Sequence, residues 1–211
     1  MTGIISQNVG RPSGLIKATA GAGAWILIKS QTASSSSTID FVDGTSDVVL
    51  DSTFPIYVFK FINIHPGGDG HSLEFNMSAD SGSNYNVTKT STAFNAYHLE
   101  GDSDSGLGYN GSSDLAQSTN FQRFMYNIGN GNDETGSGTL TLFNPSSTTF
   151  VKHFIGTNTS YQSNDYSTNN FIAGYCNTTS AIDAIRFQMQ SGNIDSGTIK
   201  LYGIKDSEWV E

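Results

Sequence analysis

At 211 residues the chain is long enough for one large all-β domain with its own core. A net charge of −9, with ten basic residues scattered and nowhere clustered in threes, excludes the basic stripe that a nucleic-acid backbone requires. Charged residues make up only 14%, against roughly 25% in an average soluble domain; Ser, Thr, Asn and Gly take their place, which suits β-structure and shared surfaces better than helices.

Residues 1–23 carry glycine at 3, 10, 14, 21 and 23 and proline at 12, and follow no helical or strand period. The aliphatic side chains Ile4, Ile5, Leu15 and Ile16, with Arg11 among them, make this segment an expected attachment arm that orders against a partner. No positive region followed by an unbroken apolar run begins the chain, so no secretory signal is expected, and no apolar run is long enough to span a bilayer.

Trp25-Ile26-Leu27-Ile28 is apolar on both faces and reads as a buried strand. Ile39 to Val42 forms the next strand, closed by the Asp43-Gly44 turn, and Val48 to Leu50 reads as a short strand or edge. The run from Ile56 to Ile64 is the most β-prone and predicts a strand at the centre of a sheet. After the HPGGDG loop, residues 65–70, the segment from His71 to Met77 alternates with Leu73, Phe75 and Met77 inward.

Shorter strands are expected over Tyr85 to Lys89 and Ala93 to Leu99. Glu100 to Asn120 lacks β periodicity, and Ser113 to Gln117 predicts one helical turn capped by Ser113. Strands resume at Phe121 to Ile128, Gly138 to Phe143, Thr149 to Ile155 and Asn170 to Cys176. At the close, Ile185, Phe187 and Met189 and then Ile199 and Leu201 alternate with polar residues around a Gly/Asn/Asp/Ser interruption, which predicts an antiparallel hairpin with one dry face. Ten or eleven short strands and no amphipathic helix predict an all-β, two-sheet antiparallel β-sandwich, jelly-roll-like, over residues 24–204, with the extended N-terminal arm before it and a tail at 205–211.

Reaction chemistry is sparse. His65 and His71 with Asp69 can in principle ligate a metal, but the proline and glycines between them make a plain turn, which is the preferred reading. Asp102-Ser103-Asp104-Ser105-Gly106 opens like a calcium loop but lacks the later glutamate, and Asn132, Asp133 and Glu134 share a turn; both read as solvated turns. No Gly-x-Ser-x-Gly elbow is present, the lone Cys176 excludes an internal disulfide and reads as an inert buried thiol, and the five Asn-x-Ser/Thr triplets read as composition. We expect no enzyme, no cofactor and no metal. Tyr85, Tyr97, Tyr109, Tyr161 and Tyr166 lie in or beside polar loops; Tyr109, Tyr161 and Tyr166 are the candidates for glycan contact, since a flat ring stacks on the apolar face of a sugar.

The phrases GIISQNVGRPSGLIKA, STIDFVDG, VFKFINIHP, STTFVKHFI, FIAGY with NTTSAIDAI, and SGNIDSGTIKLYGI resemble a group of short glycine-rich proteins of tailed bacteriophages of marine bacteria, cyanophages and pelagiphages among them. The resemblance runs to about Ile204 and leaves the tail KDSEWVE outside. It implies a virion structural protein, decorating the capsid or belonging to the tail, made in the host cytoplasm and partnered by other virion proteins and other copies of itself, a trimer by analogy. The alternative is a receptor- or glycan-binding module of a tail fibre, with a host-surface glycan as ligand. Neither nucleic acid nor membrane is an expected partner.

Overall fold

The computed structural model describes residues 25–205. The expected arm residues Ile4, Ile5, Arg11, Leu15 and Ile16, and the tail from residue 206 onward, lie outside the described residues. Thirteen strands carry the regular structure: β1 (Trp25–Thr32), β2 (Ile39–Val42), β3 (Ile56–Pro66), β4 (His71–Ser78), β5 (Lys89–Leu99), β6 (Ser105–Tyr109), β7 (Leu115–Ser118), β8 (Gln122–Ile128), β9 (Gly136–Phe143), β10 (Lys152–Tyr161), β11 (Tyr166–Cys176), β12 (Ala184–Met189) and β13 (Ile194–Ile204). All pair antiparallel. Among the described residues there is no helix.

They form two facing sheets, a β-sandwich. The broad sheet has nine strands in the order β1-β13-β3-β9-β10-β11-β5-β6, with β7 also paired to β5; the narrow sheet has four, β2-β12-β4-β8. Each narrow-sheet strand is flanked in sequence by broad-sheet strands, so the chain crosses the core repeatedly instead of completing one sheet before the other. That is why the closing segment is not the hairpin its turn residues suggest. β12 pairs with β2 and β4, β13 pairs with β1 and β3, and residues 190–193 carry the chain from one sheet to the other. The alternation itself is as expected, with Ile185, Phe187, Met189, Ile199 and Leu201 all buried.

Aromatic rings fill the space between the sheets. Phe187 of β12 sits edge-on to Phe59 and Phe61 of β3 at 5.2 and 5.0 Å, and Phe75 of β4 meets Phe154 of β10 at 5.4 Å. Phe124 of β8 packs on Phe61 at 4.9 Å. Its ring passes so close to β10 that a Cβ on Gly156 would lie 2.5 Å from a ring carbon, so only glycine fits there. β10 shows the period-two logic most plainly: Lys152, Phe154, Gly156, Asn158 and Ser160 point inward and are buried, and the residues between them face out.

Four other expectations are corrected. β1 is an edge strand, and Trp25 and Leu27 are about half exposed instead of buried. Residues 85–88 and 48–50 are not strands, although Val48 and Leu50 are buried and the Leu50 N–H is held by the Asp43 carboxylate at 2.8 Å. Ser113 to Gln117 is not a helical turn: it leads into β7, whose backbone is captured by β5 side chains, with Leu115 N–H donating to Ser91 Oγ and Gln117 N–H to Thr90 Oγ1.

Candidate functional site

Two surfaces of the broad sheet stand out: its outer face and an overhang beyond the narrow sheet. On the outer face, the pairing register aligns Leu27, Tyr202, Val58, Thr141, Ile155, Ala173 and Thr92 in one transverse row across seven strands. The adjoining row of Trp25, Ile204, Ile56 and Phe143 is wholly apolar. On the other side of the first row, Phe171, Phe94 and Tyr109 align across β11, β5 and β6, with Leu107 exposed nearby. The inward row beneath them contains Leu201, Phe59, Leu140, Ile172 and Ala93, all buried. The outer face thus carries apolar side chains over part of its width, bounded where the Phe94 and Phe171 row continues as Thr157, Thr139, Lys60 and Lys200. Leu27, Ile155 and Leu107 are 51, 52 and 74% exposed.

The broad sheet is also wider than its partner. Past β8, the inner face of β5, β10 and β11 changes from apolar to polar: Ala93, Phe154 and Ile172 give way to Asn95, Tyr97, Asn158, Ser160, Thr168 and Asn170. Two of these tie the free edge of β8 to the sheet below it. Asn158 Nδ2 donates to the Phe124 carbonyl at 2.6 Å and Ser160 Oγ to the Tyr126 carbonyl at 3.2 Å, which leaves less of that edge open to pairing with another chain. Asn170 Nδ2 in turn holds Asn158 Oδ1 at 2.9 Å.

The overhang forms a cleft of about 460 Å³ lined by Tyr97, Tyr126 and Tyr166 together with Asn95 and Asp104, with Tyr109, opposite Phe94 on the outer face, only at its rim. Tyr97 and Tyr166 meet edge to face at 5.7 Å. The Tyr166 hydroxyl donates to Asp104 Oδ2 at 2.8 Å and the Tyr109 hydroxyl to Asp114 Oδ2 at 2.6 Å. In each case the hydrogen bond to a carboxylate raises the phenol's pKa, so both stay protonated donors.

Of the three candidate tyrosines, Tyr166 thus lines the cleft, Tyr109 stands at its rim, and Tyr161 lies in a separate cavity of about 440 Å³. There its hydroxyl donates to Glu100 Oε2 at 2.8 Å, with Asp165 Oδ1 at 3.4 Å, and Glu100 pushes its pKa up to about 12. Tyr85 lies elsewhere, under the Arg186 guanidinium at 4.1 Å. Asn95 and Tyr126 drew no attention in the sequence, because their place in the cleft comes from the overhang and not from any local pattern.

The remaining candidates are dispersed. His65 Nδ1 contacts the Glu134 carbonyl at 2.8 Å, and Asp69 accepts from the Asn130 N–H. Asp102 pairs with His98 at 3.2 Å while Asp104 serves Tyr166, so the two carboxylates have different partners. Glu134 accepts from the Gly131 N–H within its own turn. Among the described residues no group of three or more His, Cys, Asp and Glu gathers to hold a metal.

Cys176 is fully buried, 3.2 Å from Met77 Sδ, and burial pushes its thiol up to about 12, well away from reactive thiolate chemistry. Beside it the sequence hid a buried cation. Lys89 Nζ donates to Asn76 Oδ1 and to the Val87 carbonyl, and burial lowers its pKa to about 8.

Compared with models of known families, with curated proteins and with solved structures, the chain matches none.

Proposed function

We propose that the chain is a structural protein of a tailed-phage particle, decorating the capsid or associated with the tail, and that it acts by packing the outer face of its broad sheet against a neighbouring copy. It performs no reaction. The observation that carries this reading is the outer-face patch of Trp25, Leu27, Ile155, Phe94 and Leu107, each 44–74% exposed, set along the row in which Val58 is itself buried. Contiguous exposed apolar surface on a folded body marks an interaction site, because leaving it in water forgoes roughly 25 cal/mol for each Å² that a partner would cover. The sparse charge of the chain, 14%, fits surfaces shared between copies. The resemblance of its strand and turn phrases to glycine-rich phage proteins supplies the location.

Sedimentation velocity tests the packing. The chain is expected to self-associate, and Ile155→Asp, which places a charge at the middle of the row, is expected to give a folded monomer. Equal association of the variant and the parent would contradict the reading.

A further inference from the structure

We propose that the cleft beneath the overhang of the broad sheet is a binding site for an uncharged saccharide. The inner face of a sandwich is where core side chains belong, and the covered parts of β5, β10 and β11 obey that rule with Ala93, Phe154 and Ile172. At the overhang the same face carries Asn95, Tyr97, Tyr166 and Thr168 instead. A sheet that only had to end there needs no aromatic residue beside an amide on neighbouring strands. A ligand with an apolar flank and a hydroxylated rim needs both: ring faces to meet its C–H surface, and amides and phenols to exchange hydrogen bonds with its hydroxyls.

The groups are held in advance. Tyr166 is fixed by Asp104 and by the edge contact with Tyr97, and Thr168 is locked to Ser160 Oγ at 2.8 Å. Asn127 Nδ2 occupies Asn164 Oδ1 at 3.3 Å, which turns the Asn164 amide nitrogen into the donor available at the rim. Side chains already ordered cost little further entropy when a ligand arrives. The volume of about 460 Å³ lies within the range of small-ligand pockets, roughly 300–1,000 Å³.

Charge selects the class. The lining contains Asp104 and no lysine, arginine or histidine. Arg123 adjoins the lining, donating to the Ser112 carbonyl at 3.2 Å and lying 5.8 Å from the Tyr126 ring centre, but it is paired with Glu74 at 3.6 Å. With a net charge of −9 on the chain and Asp104 in the lining, sulfated, phosphorylated or sialylated sugars meet repulsion that this one paired cation does not offset. Neutral hexose or N-acetylhexosamine units fit.

The test is titration of the full chain with maltohexaose, cellohexaose, mannohexaose and chitohexaose to millimolar concentration. It is followed by amide chemical shifts, with an alginate hexamer and sialyllactose as anionic controls. At least one neutral oligosaccharide is expected to saturate, shifting the Asn95 and Asn164 side-chain amides. Tyr166→Ala and Tyr97→Ala are expected to weaken it at least tenfold, and Tyr161→Ala, in the separate cavity, to leave it unchanged. Where a tyrosine variant does not fold, Asn164→Ala takes its place, with a several-fold loss expected. No saturation by any neutral oligosaccharide, preference for an anionic control, or binding unmoved by the cleft variants would overturn the proposal. The packing test on Ile155 reads association and not sugar, so either conclusion can fail while the other stands.

Discussion

Phe94 and Phe171 lie face to face on the outer side of the broad sheet, with ring centres 4.7 Å apart and planes within 7° of parallel, although Phe94 is 44% exposed. They are register partners on β5 and β11. An offset aromatic pair contributes about 0.5–1.5 kcal/mol beyond the area it buries, a small amount for a folded domain, yet this one forms at a surface where polar residues would fold as well. Its position beside Ile155 places it on the proposed interface.

Replacing Phe94 by Ser is therefore expected to cost the monomer about 1 kcal/mol or less, while raising the concentration at which the chain self-associates at least tenfold. Urea unfolding and sedimentation on the same samples measure the two effects. A large loss of stability with unchanged association would assign the pair to the fold alone.

Phe187 is the opposite case. It is fully buried and its ring meets those of Phe41, Phe59, Phe61 and Phe75 within 6.3 Å. Truncation to Ala leaves a cavity between the sheets and is expected to cost about 3–5 kcal/mol, measured as the shift in urea midpoint at constant slope.

Asn158 joins the two sheets through polar groups in place of apolar ones. Asn158→Ala leaves the Phe124 carbonyl and the Asn170 amide without their partner. Leaving such buried groups unsatisfied is expected to cost about 1–3 kcal/mol. Amide exchange in β8 should accelerate more than in β3, because β8 is the edge strand that Asn158 holds.

Alkaline pH sets two buried lysines, Lys89 and Lys152, both with pKa lowered by burial, against the buried Cys176 thiol. Lys89 has its pKa lowered by burial to about 8, below the unfolded value of ~10.4. Between those values the unfolded chain binds the proton that the folded chain has lost, so stability rises with pH across that window; the penalty relieved is ~3 kcal/mol as an upper figure. Cys176 has its pKa raised by burial to about 12, above the unfolded value of ~8.5, so its contribution falls as pH rises through that range. Between pH ~8.5 and ~10 the two oppose each other. Cys176→Ala should therefore unmask a climb in melting temperature between pH ~8 and ~10 that the parent lacks, and adding Lys89→Met should reduce it to the part due to Lys152. A parent curve and a Cys176→Ala curve of the same shape would show that the thiol does not titrate as described.

The strands that could be read from the sequence are those whose two faces differ. In β4 one face is apolar and the other polar, and Leu73, Phe75 and Met77 lie inward as expected although Ser72, Asn76 and Ser78 opposite them are buried as well; β10 begins at Lys152 and runs to Tyr161, well past the Thr149 to Ile155 expected. The Ile56 to Ile64 run, apolar on both faces, was placed at the centre of a sheet, and β3 does lie between β13 and β9. The same two-sided pattern at Trp25 to Ile28 does not mark a buried strand, because β1 is the edge of its sheet and its outward Trp25 and Leu27 stay about half exposed. Turn residues after Met189 say that the chain reverses, but not whether it returns to its own sheet or crosses to the other, as it does here. The cleft was half legible. Tyr109 and Tyr166 could be named from their polar surroundings, whereas Asn95 and Tyr126 join them only because nine strands overhang four.

The most direct measurement is a density map of the assembled phage particle into which this chain can be traced. The account predicts that Leu27, Ile155 and Phe94 are covered by a neighbouring copy, the broad sheet's outer face forming the contact. A particle in which that face is bare to solvent and the copies touch only through loops, or from which the chain is absent, would contradict it.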